Sequence, residues 1–360
     1  MKIDVNWRRL FGLKPKILAG PPCRQYTITV VIPAYNEERN ISDTIDSIRS
    51  QSVYIDEIIV VDDCSTDRTG EIALEKGVRV VRTHQNQGTK AMAQNYVIND
   101  IHTDLMVSID ADTILHKKAI ENTLPYFNDP LTAAVCGFVI PQRIETLWER
   151  GRFIEYILGL TIFKSAQNSA GTILVCSGCF AVFSTKHIQK MGGFQPRTMG
   201  EDMDLTWDFL LNGFRIYYAP NALCYPLDPP TFAIFKKQVN RWYRSFFQNI
   251  SVHSFRKNKK LGTFVYGYLL DSFFSPLLAL SIYLVTSDML YTLGGFLMIE
   301  IFLVAIVCLI TGFRIRMVGK VISSLWAYFI IKPVNYYMFL KAMWKEWIAK
   351  ERLMVWEKGH

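Results

Sequence analysis

An alternation of short apolar runs with helical stretches constrains the fold of this chain more than any other feature of its sequence. Residues 27–33 form a continuous run rich in β-branched side chains, as expected of a strand buried on both faces of a parallel sheet. Ile41, Ile45 and Ile48 then recur at the spacing of one helix face. Further strands are predicted over residues 57–61, 77–81 and 104–109, and a helix over residues 88–101. Strands that alternate with helices predict an α/β domain with a doubly wound, mostly parallel sheet.

Polar and acidic side chains stand where the predicted strands end, namely Asn36, Asp62, Asp63, Asp110 and Asp112. Ligands of doubly wound sheets bind beyond the carboxyl ends of the strands. Carboxylates gathered at one sheet edge repel each other unless a divalent cation neutralises them, and Mg²⁺ takes both carboxylate and phosphate oxygens. The Asp-Ala-Asp sequence at 110–112 therefore predicts a metal and diphosphate site. A dinucleotide site and a P-loop are disfavoured, because neither glycine-rich motif follows the first strand.

The last third of the chain is much more apolar than the rest. Residues 263–286 and 289–311 hold one carboxylate each, Asp271 and Glu300, and each stretch is long enough for a membrane span of about 20 residues. Basic residues flank the pair on its outer ends, whereas the short loop between them has no Lys or Arg. This pattern predicts a membrane hairpin with residues 1–260 in the cytosol. Asp271 and Glu300 are expected to need partners in protein or water.

A third apolar stretch, residues 321–341, is broken by Lys332 and Pro333 and is followed by several basic residues. Crossing the membrane would place those charges outside, so an interfacial or re-entrant segment is predicted. Half of all residues are apolar, the formal net charge is +8, and charged residues make up 20%. This composition excludes a disordered chain and a small disulfide scaffold.

The seven cysteines are not expected to form disulfides in a domain that faces the cytosol. Cys176-x-x-Cys179 has no second pair and no nearby histidine. It is therefore interpreted as small residues packed in a strand or turn, not as a zinc site.

Six segments carry a family resemblance. VVIPAYNEE (30–38), VVDDCSTD (60–67), NQGTKAMAQN (86–95) and SIDADT (108–113) resemble family 2 glycosyltransferases of the GT-A fold. GEDMDLTWDFLLNGFRIYY (200–218) resembles the acidic catalytic motif of that family. QVNRW (238–242) is similar to the Q-x-x-R-W motif of its membrane-embedded members, which include cellulose, chitin, hyaluronan and poly-N-acetylglucosamine synthases. The resemblance covers residues 26–260.

The resemblance implies roles for the residues at the strand ends. Asp62 or Asp63 would accept the imide N–H of uracil, Lys90 would meet the diphosphate, and Asp110 would face the nucleotide. Asp112, together with Asp110, would bind Mg²⁺ or Mn²⁺, which offsets charge on the departing UDP. The residues expected to bind the nucleotide sugar are Ala34, Tyr35, Glu37, Asp62, Asp63, Lys90 and Asp110.

Asp202 is the candidate general base, since inversion needs one carboxylate opposite the leaving group to take the acceptor proton. Glu201 and Asp204 compete for this role, although a helix would point Asp204 elsewhere. Gln238, Arg241 and Trp242 are expected to bind the acceptor and the diphosphate. They lie in a basic, aromatic stretch that is also typical of an amphipathic helix on a membrane. Residues 147–164 predict a second interface helix, with a core helix as the alternative.

The predicted organisation is a basic segment (1–25), a cytosolic GT-A domain (26–228), an amphipathic region with the QVNRW motif (229–260), a membrane region (261–345) and a cytosolic tail (346–360). The expected activity is inverting transfer from a UDP-sugar, UDP-GlcNAc before UDP-glucose, to a polysaccharide, an oligosaccharide or a lipid-linked acceptor. The expected location is the cell membrane, with several spans.

Two alternatives remain open. One is a polyprenyl-phosphate glycosyltransferase, and the other is a non-catalytic membrane scaffold or pore subunit. Two or three helices are few to enclose a polymer, so either several copies assemble, a partner subunit supplies helices, or few sugars are added. A nucleic-acid partner is not expected, because the acidic sheet edge would repel phosphates.

Overall fold

The computed structural model describes residue 22 and residues 24–353, with the backbone alone for 274–279, 289, 293 and 296. Residues 1–21 and 23 of the predicted segment 1–25, and residues 354–360 of the tail, lie outside the described residues. Its first half is a parallel sheet with the strand order β3 (Arg79–Arg82), β2 (Glu57–Asp62), β1 (Ile28–Ala34) and β4 (Leu105–Ile109). All residues of β1 and β4 are buried, as their β-branched composition predicts.

Helices connect these strands in the order that the sequence pattern predicts. They are α1 (Ile41–Arg49), α2 (Thr69–Glu75) and α3 (Lys90–Ile98). Ile41, Ile45 and Ile48 are fully buried on one face of α1. The hydroxyl of Thr89 accepts from the amide of Met92, and this cap begins α3 two residues later than predicted.

The second half of the sheet is mixed, so the expectation of a mostly parallel sheet holds only for the first half. It adds β7 (Phe180–Ser184), β6 (Thr132–Val139), β8 (Arg215–Tyr225) and β5 (Ile114–Leu115) in that order. β7 runs antiparallel to both β4 and β6, whereas β6 and β8 are parallel. A short apolar run is buried equally well in either direction, and the connections between strands decide the direction.

Further helices follow β6 along the chain, and some of them flank the sheet at the carboxyl ends of β1 and β4. α4 (Leu147–Leu158) begins with a capping box between Thr146 and Glu149 and continues as a π-helical turn (Gly159–Lys164) into α5 (Ser165–Ala170). After α6 (Thr185–Lys190) comes α7 (Glu201–Leu211), which carries the acidic motif at its N-terminus. α8 (Phe232–Val252) carries the QVNRW motif.

The chain ends in three long helices, α9 (Lys259–Thr286), α10 (Met289–Ile315) and α11 (Val318–Met343). Within the described chain, Leu290–Ile315 is the one segment long and apolar enough to cross a membrane. Glu300 finds a partner, as expected, in an ion pair with Lys332 of α11.

The third apolar stretch is one uninterrupted helix with Pro333 inside it, so it lacks the turn of a re-entrant segment. It packs on α4 and α8, where Ile331 and Met338 share a buried cluster with Phe235 and Val239. A Cβ built on Gly151 would lie 2.6 Å from Ile331, so this glycine permits the close approach of α4 to α11. This packing occupies one side of the helix, which sequence periodicity alone did not indicate.

Candidate active site

One cavity of about 960 Å³ lies where β1 and β4 end and is closed by α7 and α8. Twelve of the thirteen predicted site residues line it: Ala34, Tyr35, Glu37, Asp63, Lys90, Asp110, Asp112, Glu201, Asp202, Gln238, Arg241 and Trp242. These residues come from loops and helices spread over more than 200 positions of the chain. The fold therefore brings the predicted donor, base and acceptor groups to a single space.

Asp62 is the predicted residue that does not line the cavity. Its side chain is 1% exposed, its Oδ1 accepts from the amide of Ser65 at 2.9 Å, and its Oδ2 pairs with Arg82 at 2.5 Å. Asp63 does line the cavity, and its Oδ1 accepts from the amide of Gln87 at 2.8 Å. Burial raises the pKa of Asp63. The sequence left open whether Asp62 or Asp63 contacts the nucleotide. Asp63 is the one of the two that lines the cavity.

The loops after β1 and β2 hold each other in place beside Asp63. The amide of Asn36 donates to the hydroxyl of Ser65 at 3.0 Å, and the amide of Glu37 donates to Thr69 at 2.7 Å. Asn36 itself has a left-handed backbone with φ of 55°, a conformation that asparagine tolerates better than most residues. Its side-chain oxygen accepts from the amide of Thr66 at 2.8 Å. These bonds explain why polar residues follow both strands.

Lys90 stands at the start of α3 and points to the floor of the cavity. Its Nζ pairs with Asp110 and donates to the carbonyl oxygen of Gly178 at 2.7 Å. Burial opposes its charge, but the carboxylates of Asp110, Glu201 and Asp202 outweigh burial and raise the pKa of Lys90. The residue therefore stays a cation and can meet a diphosphate.

Gly178 is the residue of this site that sequence reasoning missed. Its amide donates to Oδ2 of Asp202 at 3.0 Å, and a Cβ built on it would lie 2.9 Å from Lys90 Nζ and 3.2 Å from Asp202 Oδ2. The sequence offered one sign of this role, a glycine between Cys176 and Cys179. The sequence analysis interpreted that cysteine pair as packed residues of a strand or turn. Those two cysteines and the four others in the described range are free thiols, as expected.

The first turn of α7 places Glu201 and Asp202 in the cavity wall and turns Asp204 away from it. Asp202 Oδ1 accepts from the amide of Met203 at 2.8 Å. Burial and the neighbouring charge of Asp202 raise the pKa of Glu201, while Lys90 and Arg241 oppose this rise. Glu201 therefore holds a proton more readily than an ordinary glutamate does.

Asp204 is buried but belongs to a partly exposed ion-pair cluster on the side of α7 that faces away from the cavity. Arg197 donates to Asp204 at 2.9 Å and pairs with Asp208 at 2.5 Å, and His253 Nε2 lies 3.1 Å from Asp204. His253 Nδ1 lies 3.0 Å from the carbonyl oxygen of Asn249, and Nε2 also lies 3.2 Å from Nη2 of Arg197. Burial opposes the charge of the imidazolium, but the bonds to the two carboxylates raise the pKa of His253 to about 9.

The ligand atoms of Asp204, Asp208 and His253 lie within 4.8 Å of one another, a spacing that suits a metal ion. Arg197 pairs with both of these carboxylates. The cluster is therefore organised as an ion-pair network that ties α7 to the end of α8.

The QVNRW motif lies on the cavity side of α8. Gln238, Arg241 and Trp242 are three and four residues apart, so they share one face of the helix and line the cavity together. Arg152 of α4 contacts this face from behind, with its Cζ 4.7 Å from the centre of the Trp242 ring. The predicted amphipathic region is thus a cavity wall on at least one of its faces.

Comparison with known proteins agrees with this geometry. The profile of the family described as Glycosyl transferase family 2 matches residues 29–192. Poly-beta-1,6-N-acetyl-D-glucosamine synthase of Staphylococcus aureus (strain COL) is 31% identical over 223 residues, which are 60% of this chain and 53% of that protein. The synthase of the same name from Staphylococcus epidermidis is 29% identical over 251 residues, 66% of this chain and 59% of that one. The chain spans a little over half the length of these curated relatives.

A solved structure shares the fold over nearly the whole chain. The mannosyltransferase PcManGT of Pyrobaculum calidifontis, solved in complex with GDP-Man and Mn²⁺, has a TM-score of 0.65 at 20% identity, covering 96% of this chain and 94% of that one. This likeness supports a GT-A-like α/β fold with a mixed sheet. Residues 29–192 therefore resemble a family 2 glycosyltransferase domain, and the chain is similar over 223 residues to a poly-β-1,6-N-acetyl-D-glucosamine synthase.

Proposed function

We propose that this chain is an inverting, membrane-bound glycosyltransferase that transfers a sugar from a UDP-sugar to a growing β-linked polysaccharide or oligosaccharide. The observation that carries the proposal is the shared cavity, which is lined by Asp63, Lys90, Asp110, Asp202 and Trp242 together. UDP-GlcNAc is the favoured donor, because the curated relatives are named as synthases of an N-acetylglucosamine polymer.

The cavity fits a divalent cation. Seven carboxylates line it against three basic side chains, an excess of negative charge that would otherwise repel a diphosphate. Asp112 and Asp110 would hold Mg²⁺ or Mn²⁺, since both ions prefer carboxylate and phosphate oxygens. When bound, the ion supplies positive charge that stabilises the departing diphosphate.

The chain's own residues perform the remaining steps. Asp202 takes the proton of the acceptor hydroxyl while that oxygen forms its bond to C1 of the donor sugar. The bond from C1 to the diphosphate oxygen breaks, and UDP leaves with the electron pair, so the configuration at C1 inverts. Lys90 and Arg241 stabilise the negative charge on the leaving group. Trp242 offers an apolar ring surface for the acceptor sugar.

The membrane location is supported by α10, whose apolar side chains Met298, Phe302 and Leu303 are exposed along its length. Large exposed apolar surfaces of this kind suit a bilayer. The proposed arrangement keeps the hairpin of α9 and α10 in the cell membrane, with the catalytic domain in the cytosol. Copies of the chain or a membrane partner would supply further helices.

UDP release by the detergent-purified protein tests this function. UDP-GlcNAc, UDP-glucose and UDP-glucuronate are offered separately with Mg²⁺, Mn²⁺ or EDTA, and Asp202→Asn runs beside the wild type. Release with one donor that stops in EDTA and in the variant is expected, and product length then separates polymerisation from single transfer. Absence of both release and UDP binding, even with membrane lipids present, would favour the scaffold alternative.

A further inference from the structure

We propose that Arg152 is a positioning residue that holds Gln238 and Trp242 in the arrangement that binds the acceptor sugar. The inference rests on the glycosyl transfer proposed above. Arg152 belongs to α4 and does not line the cavity itself. It acts through two residues of α8 that do line it.

The guanidinium of Arg152 contacts two residues of the QVNRW motif, Gln238 and Trp242. Arg152 Nη2 donates to Gln238 Oε1 at 3.3 Å, and Cζ lies 4.7 Å from the centre of the Trp242 ring. Gln238 and Trp242 are four residues apart, so one planar group can reach both on the same helix face. A cation at this distance from an indole is attracted to the ring.

The guanidinium is held rigidly on its other sides. Its side chain is only 6% exposed, Nη1 donates to Glu155 at 2.8 Å, and Nε lies 3.8 Å from Asp228. The ring of Phe235 lies 4.8 Å from Cζ on a further side. A buried cation between two carboxylates and two rings has little room to turn, so it can define where its neighbours sit.

Two consequences for the acceptor follow from this arrangement. Arg152 occupies one side of the Trp242 ring, which assigns the sugar to the opposite side. It also bonds the amide oxygen of Gln238, so the amide nitrogen is the group oriented to donate to a sugar hydroxyl. Arg152 thereby sets both the apolar and the polar contact of the acceptor.

The C-terminal helices reach this network through Glu155. Asn335 of α11 donates to Glu155, which in turn accepts from Arg152. Glu155 does not line the cavity. Glu155→Gln therefore weakens a contact that holds Arg152, without changing any residue that lines the cavity.

Arg152→Lys tests the proposal, because lysine keeps the charge but loses the planar fork. The readouts are UDP affinity by calorimetry, thermal stability, and the KM and kcat for a β-1,6-linked N-acetylglucosamine tetramer with UDP-GlcNAc. We expect KM for the tetramer to rise about tenfold. UDP affinity should stay within about twofold, since no donor residue is touched.

A double-mutant cycle separates positioning from a general loss of stability. In a Trp242→Ala background, Arg152→Lys should raise the KM by clearly less than the roughly tenfold expected in the wild type, because only the contact with Gln238 remains to be lost. Glu155→Gln should raise the KM for the tetramer more weakly and leave UDP affinity unchanged. If Arg152→Lys does not fold, Glu155→Gln provides the same comparison between the KM for the tetramer and the affinity for UDP.

The outcomes separate this inference from the proposed function. A wild type without donor-dependent UDP release contradicts the function itself. An active wild type with unchanged KM in both single variants overturns the role of Arg152 alone. Equal losses in UDP and tetramer affinity, or full additivity with Trp242→Ala, overturn it as well.

Discussion

The backbone amide of Gly178 donates to Oδ2 of Asp202 over 3.0 Å, and the carbonyl oxygen of the same residue accepts from Lys90 at 2.7 Å. One residue thus links the proposed base to the proposed diphosphate ligand. Lys90 and Asp202 are 112 positions apart in the chain, and neither contact is visible as a sequence motif. The loop that carries Gly178 therefore sets the relative position of the two groups.

Gly178→Ala should reduce transfer strongly while leaving the fold intact. The added Cβ would lie 2.9 Å from Lys90 Nζ and 3.2 Å from Asp202 Oδ2, so both groups would have to shift. Misplacement of this size in a catalytic site costs about 100-fold in rate. UDP release and thermal stability are measured together. Gly319→Ala is the matched control, because a Cβ there meets nothing within 4 Å; equal rates in both variants would contradict the role of Gly178.

Asp202→Asn should lower kcat by about 100-fold to 10,000-fold, the usual contribution of a general base. UDP affinity should change little, since the variant keeps a side chain of the same shape. Steady-state UDP release and calorimetry distinguish the two effects. Asp43→Asn, also in the first turn of a helix but exposed, serves as control. A variant of Asp202 that retains more than about a tenth of kcat would shift the role to Glu201.

Lys90→Met should weaken UDP binding by about 10-fold to 100-fold, because hydrogen bonds to charged groups contribute about 1.5–3 kcal/mol. Titration calorimetry with UDP and Mn²⁺ measures the change. Lys117→Met removes an exposed lysine and should leave the affinity unchanged. If both variants bind UDP equally well, Lys90 serves only to neutralise Asp110.

Stability should fall between about pH 6.5 and pH 9 through His253. Its folded pKa, about 9, exceeds its ordinary value of 6.5, so its stabilisation is complete below pH 6.5 and is lost as the pH rises through 9. At about 1.4 kcal/mol per pKa unit, the rise from 6.5 to about 9 corresponds to about 3.5 kcal/mol, and solvent screening of this partly exposed cluster lowers the loss to on the order of 2–3 kcal/mol.

Melting temperatures at pH 6, 7.5 and 9 measure this effect. In His253→Gln the decline should be shallower, because glutamine carries no proton to lose in this range, while Arg197 still pairs with Asp204 and Asp208. Parallel curves for the variant and the wild type would show that another group causes the decline.

The sequence of residues 27–109 was sufficient to predict the four strands of this segment and the sheet edge where ligands are expected to bind. Runs such as residues 27–33 and 104–109 are buried on both faces whatever surrounds them, and their polar ends must then lie together. Asp110 and the pair Asp62 and Asp63 could be selected for the same reason, whereas Asp202 follows from the resemblance of residues 200–218 to the acidic motif of the family. Local composition predicts which strands are buried, and the ends of buried strands predict the edge of the sheet where a ligand binds.

The direction of a strand, the partners of each carboxylate and the contacts between residues distant in the sequence depended on the tertiary structure. The run at Phe180–Ser184 could pair either way, and Asp62 and Asp63 were indistinguishable until Arg82 and Gln87 were placed around them. Gly178 and Arg152 act through residues far away in the chain. Periodicity reports which side of an element is buried, but not which residue it meets, because that depends on how distant segments pack.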